Sequence, residues 1–353
     1  MKEKQYDILT FIGRYEPWHY GHQHVYDAAC ALGKKILILV GSSEASRSVR
    51  NPWDYEKRKM MITESILQSE HGIEKMKNTV IAPLSDITYN LSLWIEQVQS
   101  IVKEHTPNTA NTPRIGIIGH SKDASSYYLQ CFPMWESVEV PSYEDISGKP
   151  VSATHIREAY FQDGDAFYAG NTSPAVTSAL VKFSKTTEFK RLQDEFNFTK
   201  AYKKSWESAP YPPTFVTVDA VVVQAGHVLL IRRKAAPGMG LWALPGGFIG
   251  QDETLKSAML RELREETRIK VPSPVLEGSI THQRVFDDPY RSTRGRTVTH
   301  AFLIELRNVG KNLPRVKGSD DADKAKWVPL SEIKECDLYE DHYHIIREMI
   351  GYK

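Results

Sequence analysis

Residues 247–269 read GFIGQDETLKSAMLRELREETRI, a glycine-containing loop that runs into one strong amphipathic segment. Thr254 suits an N-cap, because its hydroxyl can satisfy an otherwise orphaned backbone donor, and a helix beginning near Leu255 follows. On that helix Glu262, Glu265 and Glu266 fall at i, i+3 and i+4, so the three carboxylates share one face. Like charges this close repel. A hard divalent cation removes the conflict, since Mg²⁺, or Mn²⁺ in its place, takes oxygen ligands and bridges them to substrate phosphates. Water bound to such an ion becomes acidic enough to attack phosphorus. An acidic helix face alone is more often a solvated surface, with Arg261 and Arg264 as ordinary ion-pair partners; here the loop and the full spacing occur together.

This stretch resembles the Nudix box: glycine, five residues, glutamate, seven residues, Arg-Glu-Leu-x-Glu-Glu, then a glycine and an aliphatic residue. The matching positions are Gly247, Glu253, Arg261, Glu262, Leu263, Glu265, Glu266 and Ile269. Arg268 replaces the usual glycine, at a helix-ending rather than a chemical position. The resemblance implies Glu262, Glu265 and Glu266 as metal ligands helped by the Gly247 carbonyl. It also implies a supporting role for Glu253 and Arg261, and Glu253, Glu265 and Glu266 are the catalytic candidates. It extends outward to Leu241–Phe248, to Asp320-Asp321-Ala322 ahead of Trp327–Leu330, and to Asp341-His342. Residues 287–302, DDPYRSTRGRTVTHAF, look like the substrate loop of Nudix enzymes that act on ADP-ribose. Arg291, Arg294 and Arg296 match phosphate oxygens in fork geometry, or they form a surface basic patch; both readings stay open. The general base is not identifiable from sequence.

Upstream, Thr214–Val223 and Val228–Arg232 read as strands around an Ala225-Gly226 turn. Before them, Ala209–Pro213 holds three prolines that cannot continue a helix, after a charged, helix-favouring stretch. The domain boundary is placed here: 1–183, a linker over 184–213, and 214–353. The first part alternates β-rich runs (Tyr6–Ile12, Ile36–Val40, Thr79–Ala82, Arg114–Ile118, Ser137–Val140) with amphipathic helices, Asp54–Gln68 and Asn90–Val102 being the clearest. That rhythm predicts a Rossmann-like parallel sheet covered by helices, with ligands beyond the carboxyl ends of its strands. The last part predicts a mixed α/β domain of its own.

The first strand leads directly into Gly13-Arg-Tyr-Glu-Pro-Trp-His-Tyr-Gly-His22. A loop between strand and helix offers free backbone donors to phosphate, Gly13 and Gly21 permit close approach, and Arg14, His19 and His22 add side-chain donors. Later, Val151-Ser-Ala-Thr-His-Ile-Arg157 places Ser152 or Thr154 as a helix cap and Arg157 within reach of phosphates. The two segments resemble the His-x-Gly-His loop and the Ile-Ser-Ser-Thr-x-x-Arg clamp of the nucleotidyltransferase superfamily, with Val and Ala at the first and third positions of the second. The resemblance implies in-line attack by a substrate phosphate on the α-phosphorus of ATP. His22, Arg157 and bound Mg²⁺ would steady the departing pyrophosphate, and His19 would orient the triphosphate.

Gly41-Ser-Ser43, Arg50-Asn-Pro-Trp53, Glu56–Met60 and Pro83–Trp94 are similar to the archaeal-type nicotinamide mononucleotide adenylyltransferases, which also occur fused to Nudix domains. In that family an acid and a tryptophan after this strand recognise nicotinamide, and Asp86 and Trp94 occupy those places. Stacking of a cationic pyridinium on Trp94 is physically sensible, while its helical spacing equally suits a core residue. Arg47 and Arg50 are further phosphate-binding candidates.

Forty-five basic and 44 acidic residues in 353 give a formal charge of +1, which provides no whole-molecule field for nucleic acid or an anionic membrane. No stretch approaches the ~20 apolar residues of a bilayer span. The start does not read as a signal peptide. Cys30, Cys131 and Cys336 lie far apart, without disulfide or zinc spacing. The expectation is a soluble, cytoplasmic, bifunctional enzyme of NAD metabolism. It would make NAD and pyrophosphate from nicotinamide mononucleotide and ATP, and hydrolyse ADP-ribose to AMP and ribose 5-phosphate. Another mononucleotide acceptor, another Nudix substrate, or a Nudix domain that only senses a nucleotide are the alternatives. The sequence does not specify the oligomeric state, a homo-oligomer included, or the preference between amidated and deamidated mononucleotide.

Overall fold

The computed structural model describes residues 4–107, 111–120, 128–163, 170–307, 312–318 and 322–351; the Asp320-Asp321 pair lies outside them. The chain divides into two compact units, Met1–Asp194 and Glu195–Lys353. The division falls inside a helix, Thr187–Lys204, within the stretch that the sequence marks as a linker.

In the first unit β1 (Tyr6–Gly13), α1 (Tyr20–Leu32), β2 (Gly33–Val40), α2 (Tyr55–Gln68), α3 (Gly72–Lys77), β3 (Thr79–Pro83), α4 (Leu91–His105), β4 (Ile115–Gly119), β5 (Glu136–Glu139), α5 (Ala153–Asp163), α6 (Pro174–Phe183) and the boundary helix α7 (Thr187–Lys204) follow in order. The sheet runs β3-β2-β1-β4-β5, all parallel. Central parallel strands are covered on both faces, which is why β1 and β2 are nearly continuous apolar runs. Ile8, Leu37, Leu39 and Ile117 pack against Val98 and Val102 of α4, whereas Leu91 at its start is exposed. The chain walks outward from β1 to β3, then returns to the other side of β1 with β4. The carboxyl end of β1 therefore lies at a topological switch point, where open α/β sheets bind ligands. Asp54 and Asn90 cap α2 and α4 through their side chains.

The second unit holds β6 (Phe215–Gln224), β7 (His227–Arg233), β8 (Trp242–Ala243), β9 (Gly246–Phe248), α8 (Leu255–Thr267), α9 (Ser273–Gly278), β10 (Ile280–Phe286), β11 (Thr297–Glu305), β12 (Ala322–Pro329) and α10 (His342–Met349). Its mixed sheet is ordered β10-β11-β6-β7-β12, with β11 and β6 parallel, and β9 paired to β6. Ala225 and Gly226 both take positive φ in the β6–β7 turn, the conformation that a tight hairpin requires. Helix α8 buries Ala258, Met259 and Leu263 against Val218, Ala220, Val222 and Phe302, which leaves Glu265 exposed, Glu262 half-buried and Glu266 buried along its acidic stripe. Arg268 ends the helix in the left-handed conformation and donates its N–H to Arg264 O, so arginine serves where the box usually has glycine. No described helix is long and apolar enough to cross a membrane.

Candidate functional sites

The first site is built on the loop leaving β1. Gly13 has no room for a side chain: an added Cβ would lie 2.8 Å from the Tyr15 ring. Tyr15 itself has a φ of 56°, uncommon for an aromatic residue, and is held by its hydroxyl donating to Phe11 O at 2.8 Å. The His19 and His22 rings stack with centroids 3.7 Å apart, and Gly21 leaves space for His19. Arg157 joins the two sequence signatures: its Nη1 donates to Glu16 O at 2.6 Å and its Nη2 to Thr154 Oγ1 at 3.3 Å. Helix α5 begins at Ala153, so Thr154 lies within its first turn and steadies Arg157 rather than capping; Ser152 precedes the helix and is buried.

Arg14 donates to Asn51 Oδ1 at 3.3 Å. Burial, then the nearby charges of Arg50 and Arg157, lower its pKa, while Glu16 and Asp86 act the other way. Three guanidinium groups influencing one another at the end of a strand make a natural site for a polyphosphate. Arg47 is engaged elsewhere, donating to Pro52 O and pairing with Asp54. Trp94 is half-buried and tilts against Phe132 at 6.1 Å, on the margin of the core. Sequence reasoning passed over Glu16 and Arg58, which are buried together beneath the loop. Glu16 stands at a position where the superfamily pattern specifies no residue, so the motif carries no signal for it.

In the second site, α8 presents Glu262, Glu265 and Glu266. Glu266 is buried and accepts from Gly246 N at 2.9 Å; burial pushes its pKa up to about 8. Burial also raises Glu262. The glycines of β9 are required by close approach: a Cβ on Gly247 would come within 2.6 Å of Glu262 Oε1, and one on Gly246 within 2.1 Å of Val218 O. Arg261 donates to both oxygens of Glu253, at 2.6 and 3.0 Å, to Glu262 at 2.9 Å and to Glu265 at 3.0 Å. Glu253 also accepts from Gly250 N at 2.6 Å, so it braces the loop. Among the described residues no three acidic, histidine or cysteine side chains converge to enclose an ion. The donor set nevertheless fits a hard cation in its chemistry: Glu262 and Glu265 are bridged by the Arg261 guanidinium, and they share a face with Glu266.

The substrate loop departs from expectation. Arg291 is not a surface charge: it is buried in a two-point ion pair with Asp341. Arg296 turns to Asp287 O. Arg294 lies with its guanidinium 4.9 Å from the Phe248 ring centre and near the buried Glu340, and its buried Nε has no hydrogen-bond partner among the described residues. Asp219, which sequence reasoning passed over although an acid inside the apolar run of β6 is a signal, is also buried and accepts from Thr299 Oγ1 at 2.5 Å.

The two units thus combine a nucleotidyltransferase fold with a Nudix fold. Residues 10–159 match the cytidylyltransferase-like family and residues 213–349 the NUDIX domain. A bifunctional NMN adenylyltransferase/ADP-ribose pyrophosphatase from Francisella tularensis superposes with a TM-score of 0.88 at 37% identity, covering 99% of each chain. The same protein, complexed with AMP and a manganese ion, matches at 36% identity over 98% of this chain and 99% of that one, again with a TM-score of 0.88. The nicotinamide/nicotinic acid mononucleotide adenylyltransferase of Acinetobacter baylyi is 31% identical over 54% of this chain and 94% of its own length. The ADP-ribose pyrophosphatase of Methanocaldococcus jannaschii is 33% identical over 39% of this chain and 74% of its own length. The chain belongs to the family of bifunctional NMN adenylyltransferase/ADP-ribose pyrophosphatases.

Proposed function

We propose that the first unit transfers the adenylyl group of ATP to nicotinamide mononucleotide and that the second hydrolyses ADP-ribose, each with Mg²⁺. The observation that carries the reading is the 2.6 Å bond from Arg157 to Glu16 O, which brings two signature segments 141 residues apart onto one strand end. An oxygen of the mononucleotide phosphate attacks the α-phosphorus of ATP, and the bond to the β-phosphate oxygen breaks. Arg14, Arg157 and the stacked histidines would donate to phosphate oxygens, so that catalysis rests on positioning and on charge stabilisation of the departing pyrophosphate. Gly13, Ser152 and Thr154 shape the same surface, Arg50 adds charge, and Asp86 and Trp94 are assigned to the nicotinamide end.

In the second unit Glu262, Glu265 and Glu266, with the Gly247 carbonyl, would hold the metal. A Mg²⁺ ion held there would supply an acidified water and would offset phosphate charge. Arg294 and Phe248 face the substrate, and Glu253 and Arg261 keep the acidic loop in place. Retention of all three acids favours turnover over mere sensing. The test uses the full chain. NMN, ATP and Mg²⁺ should give NAD and pyrophosphate, and ADP-ribose with Mg²⁺ should give AMP and ribose 5-phosphate. Tight ADP-ribose binding without turnover under any divalent metal would overturn the hydrolase reading.

A further inference from the structure

Arg58 and Glu16 are each about 1% exposed and meet at 3.2 Å, Arg58 Nε to Glu16 Oε1. Burying two charges is costly unless their remaining hydrogen-bonding capacity is used; here most of it is, while Glu16 Oε1 has the ion pair with Arg58 and no hydrogen bond among the described residues. Arg58 Nη1 donates to Arg14 O at 2.7 Å and Gly41 O at 2.6 Å, Nη2 to Ser42 O at 3.0 Å, and the single Nε–H to Asp54 O at 3.4 Å. Glu16 Oε2 accepts from Trp53 N at 3.2 Å, and Glu16 O accepts from Arg157.

These contacts converge on strained backbone. Tyr15 and Ser42, in the loops after β1 and β2, have φ of 56° and 50°. Arg58 binds the residues on both sides of Tyr15 and the carbonyl of Ser42 itself. Left-handed conformations of non-glycine residues persist only where the surroundings over-determine them. The guanidinium is about 1% exposed and spends four of its five N–H donors on backbone carbonyls, so it acts on the backbone that carries Arg14 and, through Glu16, on Arg157 rather than on substrate.

On the adenylyltransferase reading of this site, we infer that the Arg58–Glu16 pair is its positioning device: it holds two strained loops and the Arg157 clamp at the spacing that transfer to the α-phosphorus requires. Lysine keeps the charge of Arg58 but cannot reach these acceptors with one point donor.

The experiment compares full-length wild type, Arg58→Lys and Glu16→Gln. Steady-state adenylyl transfer with NMN and ATP is measured beside ADP-ribose hydrolysis in the same samples. For Arg58→Lys the expected result is a fall in adenylyl-transfer kcat of about 10- to 100-fold, since misplacement near 1 Å can cost that much. KM for ATP should change by less than about threefold, and hydrolysis should be unchanged. Glu16→Gln, isosteric and able to accept from Trp53 N, should lower the same kcat and keeps the test decisive if Arg58→Lys does not fold. A folded variant pair with kcat within about twofold of wild type, or a rise in KM at unchanged kcat, would overturn the inference. Amide exchange at Gly41 and Trp53 gives a readout independent of activity. Exchange at least about tenfold faster in Arg58→Lys supports the clamp, and unchanged exchange refutes it. Wild type that makes no NAD would instead remove the reading of the site, with the exchange result still deciding the clamp.

Discussion

Arg291 and Asp341 face one another through two 2.8 Å hydrogen bonds, Nε to Oδ2 and Nη2 to Oδ1, with their side chains only 3% and 7% exposed. An arginine that sequence left open between a diphosphate ligand and a surface basic patch is buried as a strut between the 287–296 loop and the start of α10.

Removing one partner leaves the other charge buried, so Asp341→Asn should destabilise the second unit by about 3–5 kcal/mol. Urea unfolding followed by a probe in that unit checks this. The pair Arg291→Met with Asp341→Leu should recover most of the loss, and an unchanged midpoint for Asp341→Asn would contradict the strut.

Glu265→Gln should lower ADP-ribose hydrolysis by more than about a hundredfold while adenylyl transfer stays at the wild-type rate, because each unit has its own phosphate-binding groups. Gly247→Ala should do the same by a different route. Its Cβ would meet Glu262 Oε1 at 2.6 Å and push that carboxylate away from Glu265 and Glu266. Titration of Mn²⁺ into both variants should show weaker binding; wild-type affinity in Gly247→Ala would mean that Glu262 is not a ligand.

His22→Ala and Arg157→Ala should each slow adenylyl transfer through kcat, by about 10²–10³-fold, since their contacts strengthen as charge moves onto pyrophosphate. Trp94→Ala should raise the KM for NMN if the ring reaches nicotinamide. Lost stability with an unchanged KM would assign Trp94 to the core margin beside Phe132. Wild-type turnover by His22→Ala would defeat the proposed mechanism.

His342 is buried and accepts from Leu244 N through Nδ1 at 2.9 Å, and burial lowers its pKa to about 3 from 6.5. Below pH 6.5 the unfolded chain takes up a proton that the folded unit refuses. The stability linked to His342 is therefore complete above pH 6.5 and drains away as pH falls toward about 3, at up to about 1.4 kcal/mol per pH unit. His342→Asn should flatten that dependence in urea titrations run between these pH values. An equal slope in both proteins would show that His342 ionises freely in the fold.

Much of the architecture was legible in the chain because it depends on neighbours within a few residues. Asp54, Asn90 and Thr254 cap the helices where their side chains reach the next turn, Ala225-Gly226 turns a hairpin, and the i, i+3, i+4 spacing puts Glu262, Glu265 and Glu266 on one face. The loop from Gly13 to His22 was identifiable because its donors follow directly on a strand. Partners at long range were not legible. Arg157 finds Glu16 across 141 residues, Asp219 finds Thr299 across 80, and Arg291 finds Asp341 across 50. An arginine written in a sequence offers the same five donors whether it faces a phosphate or a buried carboxylate. Only the packing of β1 beside β2, and of the 287–296 loop beside α10, decided that Arg58 and Arg291 hold buried ion pairs while Arg294 lies over the Phe248 ring.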